Sequence, residues 1–113
     1  MSALSQRHCR SIGKDEPALA TDEVSSLLEQ LVDWQLDDTG TQISRQFRFA
    51  NYYETIAFVN AIAWVFHQQD HHPDLEVSYN RCTVHLTTHS VGGLSMNDFI
   101  CAARLDELAK KKD

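Results

Sequence analysis

The feature of this sequence that most constrains its fold is the spacing of its apolar residues, which changes from helical to strand period twice along the chain. Apolar residues recur at helical spacing from Val24 and again from Ile56. Each of these stretches is followed by one in which apolar and polar residues alternate, over 34–49 and 75–86, as in half-buried hairpins. A last helical stretch begins near Phe99. The sequence therefore predicts the order helix, hairpin, helix, hairpin, helix.

Local signals predict where these elements begin. Thr21 is a plausible N-cap of the first helix, and Asn51 with Glu54 has the spacing of a capping box at the second. Ser95 and Asp98 repeat that spacing at the third helix. Two hairpins can join into one sheet, so we predict an α+β fold: a four-stranded antiparallel sheet with helices packed on one face, in the order α-β-β-α-β-β-α.

The length of 113 residues suits one domain with a modest core. Residues 1–18 mix charge, Ser, Gly and Pro without periodicity, which predicts a loosely ordered N-terminal arm. Residues 19–113 are predicted to form the single domain. No stretch is apolar and long enough to span a bilayer, and the N-terminus does not resemble a secretory signal, so we expect a soluble, cytoplasmic protein.

Charge and cysteine content exclude several functions. A formal charge of −6 argues against a nucleic-acid ligand, which usually requires a basic face. The basic cluster Lys110–Lys112 is interpreted as a complement to the dipole at a helix C-terminus. Three cysteines, Cys9, Cys82 and Cys101, are odd in number and form no CxxC motif, so neither a disulfide framework nor a thiolate zinc site is expected. A reducing cytoplasm agrees with this content.

The segment HQQDHHPDLEVSY, residues 67–79, holds three of the six histidines. Pro73 disfavours helical geometry at His72, so His71 and His72 should lie at the C-terminal end of the second helix. Imidazoles can exchange protons near neutral pH, and a helix C-terminus favours the protonated form by about 0.3–1 kcal/mol. Three other interpretations stay open. The His-His-Pro segment can be a helix terminus with solvated imidazoles, and His67 can be an exposed polar residue. His67 and His71, at i and i+4, can also bind zinc, although no third ligand is evident.

A second candidate group follows the second hairpin. His89 is predicted at the end of a strand before Gly92-Gly93, where it either faces a cleft or is simply exposed. Asp98 is expected to cap the last helix, a position from which it can also orient an imidazole.

The spacing of these residues resembles the signature of the pterin-4a-carbinolamine dehydratases. That pattern is a polar residue, three spacers, His-His-Pro, an aromatic residue, a later histidine and an aspartate. The counterparts here are His67, His71-His72-Pro73, Tyr79, His89 and Asp98. The resemblance extends through Phe58-Val59-Asn60, Thr88-His89-Ser90, Gly93-Leu94-Ser95 and Asn97-Asp98-Phe99, and so covers roughly residues 21–109.

The resemblance implies dehydration of 4a-hydroxytetrahydrobiopterin to the quinonoid dihydropterin, in recycling of the cofactor of an aromatic amino acid hydroxylase. It implies no metal or organic cofactor, and a homodimer or homotetramer. A non-catalytic interaction protein, similar to a transcriptional coactivator, is the alternative on the same fold.

The resemblance also implies roles for single residues. His72 and His89 would transfer protons, His71 would hold the pterin and share that role, and Asp98 would orient an imidazole. Pro73 would fix the turn. His67 stands where well-known relatives often carry glutamate, and Leu75 and Asn97 stand where some relatives carry tryptophan and arginine, respectively. We therefore expect these three residues to affect substrate affinity.

Overall fold

The predicted element order is confirmed in the computed structural model, which describes residues 3–110. The helices and strands are α1 Thr21–Leu28, β1 Gln35–Leu36, β2 Ile43–Arg48, α2 Tyr52–Gln69, β3 Asp74–Ser78, β4 Arg81–Leu86 and α3 Met96–Lys110. The strands form one antiparallel sheet in the order β1-β2-β4-β3. The fold is therefore α+β with a four-stranded antiparallel sheet, as predicted.

The core lies between one face of this sheet and the helices. Side chains of β4 alternate, so Cys82, Val84 and Leu86 are fully buried while Thr83 and His85 lie on the opposite face. The buried face packs in one cluster with apolar residues of all three helices: Val24, Phe58, Ile62, Phe66, Phe99, Ile100, Ala102 and Leu105. Within residues 3–110, no helix is both long and apolar enough to cross a membrane.

Helix α1 begins one residue earlier than predicted. Thr21 is the first helical residue and Ala20 occupies the N-cap, so the prediction of Thr21 as N-cap is wrong. The carboxylate of Glu23 accepts the backbone N–H of Ala20 at 2.9 Å. The side chain of Glu23, in the first turn, thus accepts the backbone N–H of the N-cap residue. The alanine side chain at the N-cap has no atom that could accept an N–H of the helix.

Helix α2 begins and ends at local signals. At its start the Asn51 side chain accepts the backbone N–H of Glu54 at 2.9 Å, as predicted. At its end Asp70 adopts the left-handed conformation with φ 52°. The Asp70 N–H then reaches the carbonyl of His67 at 3.3 Å, and the His71 N–H reaches that of Phe66 at 3.2 Å. This is the Schellman arrangement, with aspartate where glycine is usual, and it sets the direction in which the chain leaves the helix.

The strand before the Gly-Gly loop is shorter than predicted. β4 ends at Leu86, and His89 begins a short 3-10 turn, His89–Val91, so its prediction as a strand-end residue is wrong. The turn forms because Gly92 is left-handed, with φ 67°, which reverses the chain and lets the Thr88 N–H bond to the carbonyl of Gly93 at 2.8 Å.

The described part of the N-terminal arm lies against α2 and α3. Leu4 is buried in the core, and the Cys9 N–H donates to Oε1 of Gln69 at 2.7 Å. The boundary between an arm at 1–18 and a domain at 19–113 stays a prediction. Of the basic cluster predicted at the end of α3, only Lys110 lies within the described residues.

Candidate active site

The carboxylate of Asp98 joins three segments of the chain. Asp98 lies in the first turn of α3, and none of its surface is exposed. One oxygen, Oδ1, lies 2.6 Å from Nε2 of His71. The other, Oδ2, accepts the hydroxyl of Thr88 at 2.7 Å and the backbone N–H of Ser95 at 2.9 Å. Hydrogen bonds to a charged acceptor are roughly twice as strong as neutral ones, so this buried carboxylate is well satisfied.

Asp98 therefore caps its own helix and holds a histidine, the two roles that the sequence left compatible. Only half of the predicted capping box forms, because the Ser95 hydroxyl does not bond to the helix. It hydrogen-bonds instead to the hydroxyl of Thr88 at 2.7 Å. Thr88 and Ser95 were not predicted as site residues. The spacing of Ser95 and Asp98 was a local signal, but nothing in the sequence placed Thr88 beside either of them.

His71 is a largely buried imidazole held in a charged pair. Its side chain is 11% exposed, and its Nε2–H donates to Asp98. Burial lowers the pKa of His71, whereas the hydrogen bond to Asp98 and the charge of Asp98 raise it. The raising effects prevail, so the pKa lies above its usual value. The pair therefore favours the imidazolium. With Nε2 engaged, Nδ1 is the ring atom left for a proton exchange.

His72 occupies a different environment from its neighbour. It lines an open cleft of about 360 Å³ between α2 and β3, together with His67, Pro73, Leu75 and residues of α2: Ile62, Ala63 and Phe66. The His67 ring lies 5.6 Å from the ring of Trp64. The cleft is within the size range of small-molecule sites and combines an apolar floor with a few polar groups. A wider depression of about 590 Å³ beside β2 and the end of α3 is lined by no histidine.

His89 lies in the exposed 3-10 turn that follows Thr88. Because Thr88 bonds to Oδ2 of Asp98 and His71 bonds to Oδ1, one carboxylate fixes the two histidine-bearing segments relative to each other. His89 itself does not line the cleft of His72.

Asn97 is placed away from that cleft. It is only 6% exposed, and its amide donates to the carbonyl of Arg10 at 2.7 Å and accepts the Arg10 N–H at 3.1 Å.

The structure thus brings His67, His72, Pro73 and Leu75 together, pairs His71 with Asp98, and engages Asn97 with the N-terminal arm. The part of the chain that the structure describes contains no group of three His, Cys, Asp or Glu residues arranged to hold a metal ion.

Comparison with known proteins identifies relatives along nearly the whole chain. A family profile described as pterin 4 alpha carbinolamine dehydratase matches residues 17–108. A protein of Nitrosomonas eutropha with the provisional name pterin-4-alpha-carbinolamine dehydratase is 56% identical over 106 residues, covering 93% of this chain and 92% of its own. One of Legionella pneumophila with the same provisional name is 50% identical over 108 residues, covering 95% and 96%.

Two solved structures are similar in fold. A transcriptional coactivator/pterin dehydratase from Brucella melitensis superposes with a TM-score of 0.78 at 32% identity, covering 81% of this chain and 98% of that one. A pterin dehydratase-like protein described as a RuBisCO assembly factor in the alpha-carboxysome gives a TM-score of 0.60 at 23% identity, covering 69% and 90%. The second likeness shows the shared fold alone.

Proposed function

We propose that this chain, which belongs to the pterin 4 alpha carbinolamine dehydratase family, is a hydro-lyase that removes water from 4a-hydroxytetrahydrobiopterin and releases quinonoid dihydropterin. The observation that carries the proposal is the pair of consecutive histidines, one fixed by a buried carboxylate and the other open to a cleft. The family and the names of the relatives supply the substrate class.

The reaction needs an acid and a base on one bicyclic ring. The hydroxyl at the 4a carbon leaves as water only when its oxygen gains a proton, and a ring nitrogen must lose a proton. We assign these transfers to His72, which lines the cleft, and to His89, which is exposed on the neighbouring segment that Thr88 and Asp98 hold against His71. His71 contacts the pterin and shares the proton transfer, and Asp98 positions His71 through Nε2.

The cleft beside His72 is the proposed binding site. Pro73 fixes the turn that aims His72, Leu75 offers an apolar contact to the ring, and His67 stands at the rim. Binding by Asn97 stays a prediction, and its hydrogen bonds support an indirect contribution through the N-terminal arm.

The proposed reaction uses no metal or organic cofactor, because imidazoles alone can donate and accept the protons involved. Its substrate arises when an aromatic amino acid hydroxylase uses a tetrahydropterin, and its product is returned to the tetrahydro state by a reductase. The enzyme would therefore act in tetrahydrobiopterin recycling. The cytoplasmic location stays a prediction.

We further propose that the protein forms a homodimer or homotetramer through the β3 edge. Within residues 3–110, β3 pairs with another strand on one side only. Leu75 and Val77 on this strand, Tyr79 beside it and Trp64 on α2 are all exposed apolar side chains. An open edge with apolar neighbours favours pairing with another strand. Light scattering should give a multiple of the chain mass, and Val77→Lys should lower that multiple.

A non-catalytic interaction protein is the second candidate, favoured by the coactivator part of the name of the Brucella melitensis structure. This candidate predicts a stable hetero-complex on purification together with no turnover of the pterin. A turnover measurement on the purified protein therefore separates the two.

The test supplies purified protein with freshly generated 4a-hydroxytetrahydropterin and follows the absorbance of the quinonoid product. The wild type should accelerate dehydration, and His72→Ala and His89→Ala should each remove most of the acceleration. His85→Ala is the matched control, because His85 lies on the sheet face opposite the core, next to the carboxylate of Glu76. No acceleration over the spontaneous reaction by the wild type contradicts the proposal.

A further inference from the structure

Two thiols meet where the N-terminal arm crosses α3. The sulfur of Cys9, in the arm, lies 3.6 Å from the sulfur of Cys101, in the middle of α3. Cys9 Sγ also lies 3.6 Å from the carbonyl oxygen of Asn97. Cys101 is fully buried, whereas Cys9 is partly exposed. These two cysteines are separated by 92 positions in the sequence, so only the fold brings them together.

Polar contacts on both sides of Cys9 hold it in this place. Its own N–H donates to Gln69, and the next residue, Arg10, makes two backbone hydrogen bonds with the amide of Asn97. Gln69 is the last residue of α2, and Asn97 precedes Asp98. The contact between the thiols is therefore built into the packing of the arm on the domain.

The two thiols differ in how readily they lose a proton. The hydrogen bond from Cys101 lowers the pKa of Cys9; burial and Asp98 oppose this shift, and the charges of His71 and Arg104 add to it. The same hydrogen bond, followed by burial, raises the pKa of Cys101. A partly exposed thiol with a lowered pKa is the one that reacts with oxidants, and a neighbouring thiol can then resolve the product.

We propose that Cys9 and Cys101 are a redox modification site at which a peroxide links the N-terminal arm covalently to α3. In the first step the Cys9 thiolate attacks one oxygen of hydrogen peroxide, the O–O bond breaks, and Cys9 becomes a sulfenic acid as hydroxide leaves. In the second step the Cys101 sulfur attacks the Cys9 sulfur, the S–O bond breaks, and the Cys101 proton leaves with the oxygen as water. Two thiols are oxidised and one peroxide is reduced.

The geometry is close to that of the product. A disulfide needs the two sulfurs to approach by about 1.5 Å from their present separation. Cys9 lies outside any helix or strand, so rotation of its side chain and a small shift of the arm can supply this movement. The third thiol, Cys82, serves as an internal reference, since it is fully buried in β4 and burial raises its pKa to about 11.

The first experiment measures the linkage by mass. Reduced protein is treated with a small excess of hydrogen peroxide, denatured and alkylated with iodoacetamide. One alkylated cysteine in place of three is expected, with the loss of two hydrogen atoms from the chain. Trypsin leaves Cys82 and Cys101 in one peptide, residues 82–104, so the linked pair is assigned in the Cys82→Ser background. There the peptide His8-Cys9-Arg10 should be joined to 82–104.

Matched variants decide the assignment. Cys82→Ser should form the link as the wild type does, whereas Cys9→Ser should form none. Cys101→Ala should leave a Cys9 sulfenic acid that dimedone traps. Cys9 oxidised to sulfinic acid in the wild type, a link to Cys82, or a link between two chains would each overturn the proposal.

The second experiment uses stability, and neither experiment depends on the proposed function. A disulfide that closes a long loop restricts the unfolded chain, so peroxide-treated wild type should unfold at a temperature on the order of 10 °C higher than reduced protein. Dithiothreitol should reverse the shift, and Cys9→Ser should show no shift. An unchanged unfolding temperature in fully linked protein would show that the arm is not held to the domain as the structure has it.

Discussion

His71 and His72 are consecutive in the chain but occupy opposite environments. The His71 side chain is 11% exposed and bound to Asp98, whereas His72 is exposed and lines the cleft beside β3. The left-handed Asp70 before them and Pro73 after them make the chain turn at this point. A turn of two residues thus separates a histidine that is fixed by a carboxylate from one that is accessible in the cleft.

The difference shows how one dipeptide can supply two functions. A group that transfers a proton must reach the substrate, while a group that stabilises charge works best when its position and protonation are fixed beforehand. Asp98 supplies that fixed position to His71 alone. Under the proposed function, His71 is therefore the histidine that Asp98 fixes in place to hold the pterin and share the proton transfer, and His72 is the exposed histidine that transfers a proton in the cleft.

The largest effect is expected when the anchor of His71 is removed. Asp98→Ala leaves His71, Thr88 and Ser95 without the acceptor that they share, and breaking a buried charged pair by removing one partner costs about 3–5 kcal/mol. Chemical denaturation measures the free energy of unfolding. Asp38→Ala, at an exposed turn residue, is the control and should change it by less than about 0.5 kcal/mol. Equal effects would contradict the role of the carboxylate.

His72→Ala should separate activity from stability. Loss of one positioned acid or base reduces turnover by about 10²–10⁴-fold, while an exposed substitution changes the unfolding free energy by less than about 0.5 kcal/mol. The dehydration assay and a denaturation curve on the same sample measure both. Unchanged turnover would assign the chemistry to another residue, and a large loss of stability would show that His72 is structural.

The anchored histidine should give stability a dependence on pH. The folded pKa of His71 is raised, so the charged pair stabilises the fold fully below the unfolded pKa of about 6.5 and loses this contribution as pH rises through the folded pKa. His71→Gln should therefore destabilise the protein more near about pH 5.5 than near about pH 9. Denaturation of both proteins at the two pH values tests this. A larger effect at high pH would reverse the assigned sign.

The smallest effect is expected at the rim of the cleft. His67 is exposed on the last turn of α2, so His67→Ala should raise KM by about 2–10-fold and leave kcat unchanged, as loss of uniform binding does. Steady-state kinetics measure both constants. A fall in kcat comparable to that of His72→Ala would place His67 among the proton-transfer residues.

Local patterns predicted most of the fold. The alternation in β4 and the helical spacing in α2 and α3 are short-range signals that depend on one buried face. Asn51 predicted the start of α2 because its side chain can bond to the backbone three residues on. Pro73 likewise predicted the end of α2 before the histidines.

The site depends on contacts that no local pattern encodes. Thr88 meets Asp98 across 10 positions, His71 meets it across 27, and Cys9 meets Cys101 across 92. The sequence predicted that Asp98 would orient a histidine but did not indicate which one. His71 is the histidine that meets Asp98 because Asp70 adopts the left-handed conformation and turns the chain at the end of α2. The sequence pattern does not reveal a left-handed conformation at a residue other than glycine.

The most direct test of the anchored histidine is the titration of its ring by NMR in wild type and in Asp98→Asn. A His71 pKa above the usual 6.5 is expected in the wild type. A lower pKa than in the wild type is expected in the variant, because burial remains while the negative charge of Asp98 is removed. A wild-type value below 6.5, or a value unchanged by the substitution, would contradict the claim that Asp98 keeps His71 charged beside an accessible His72.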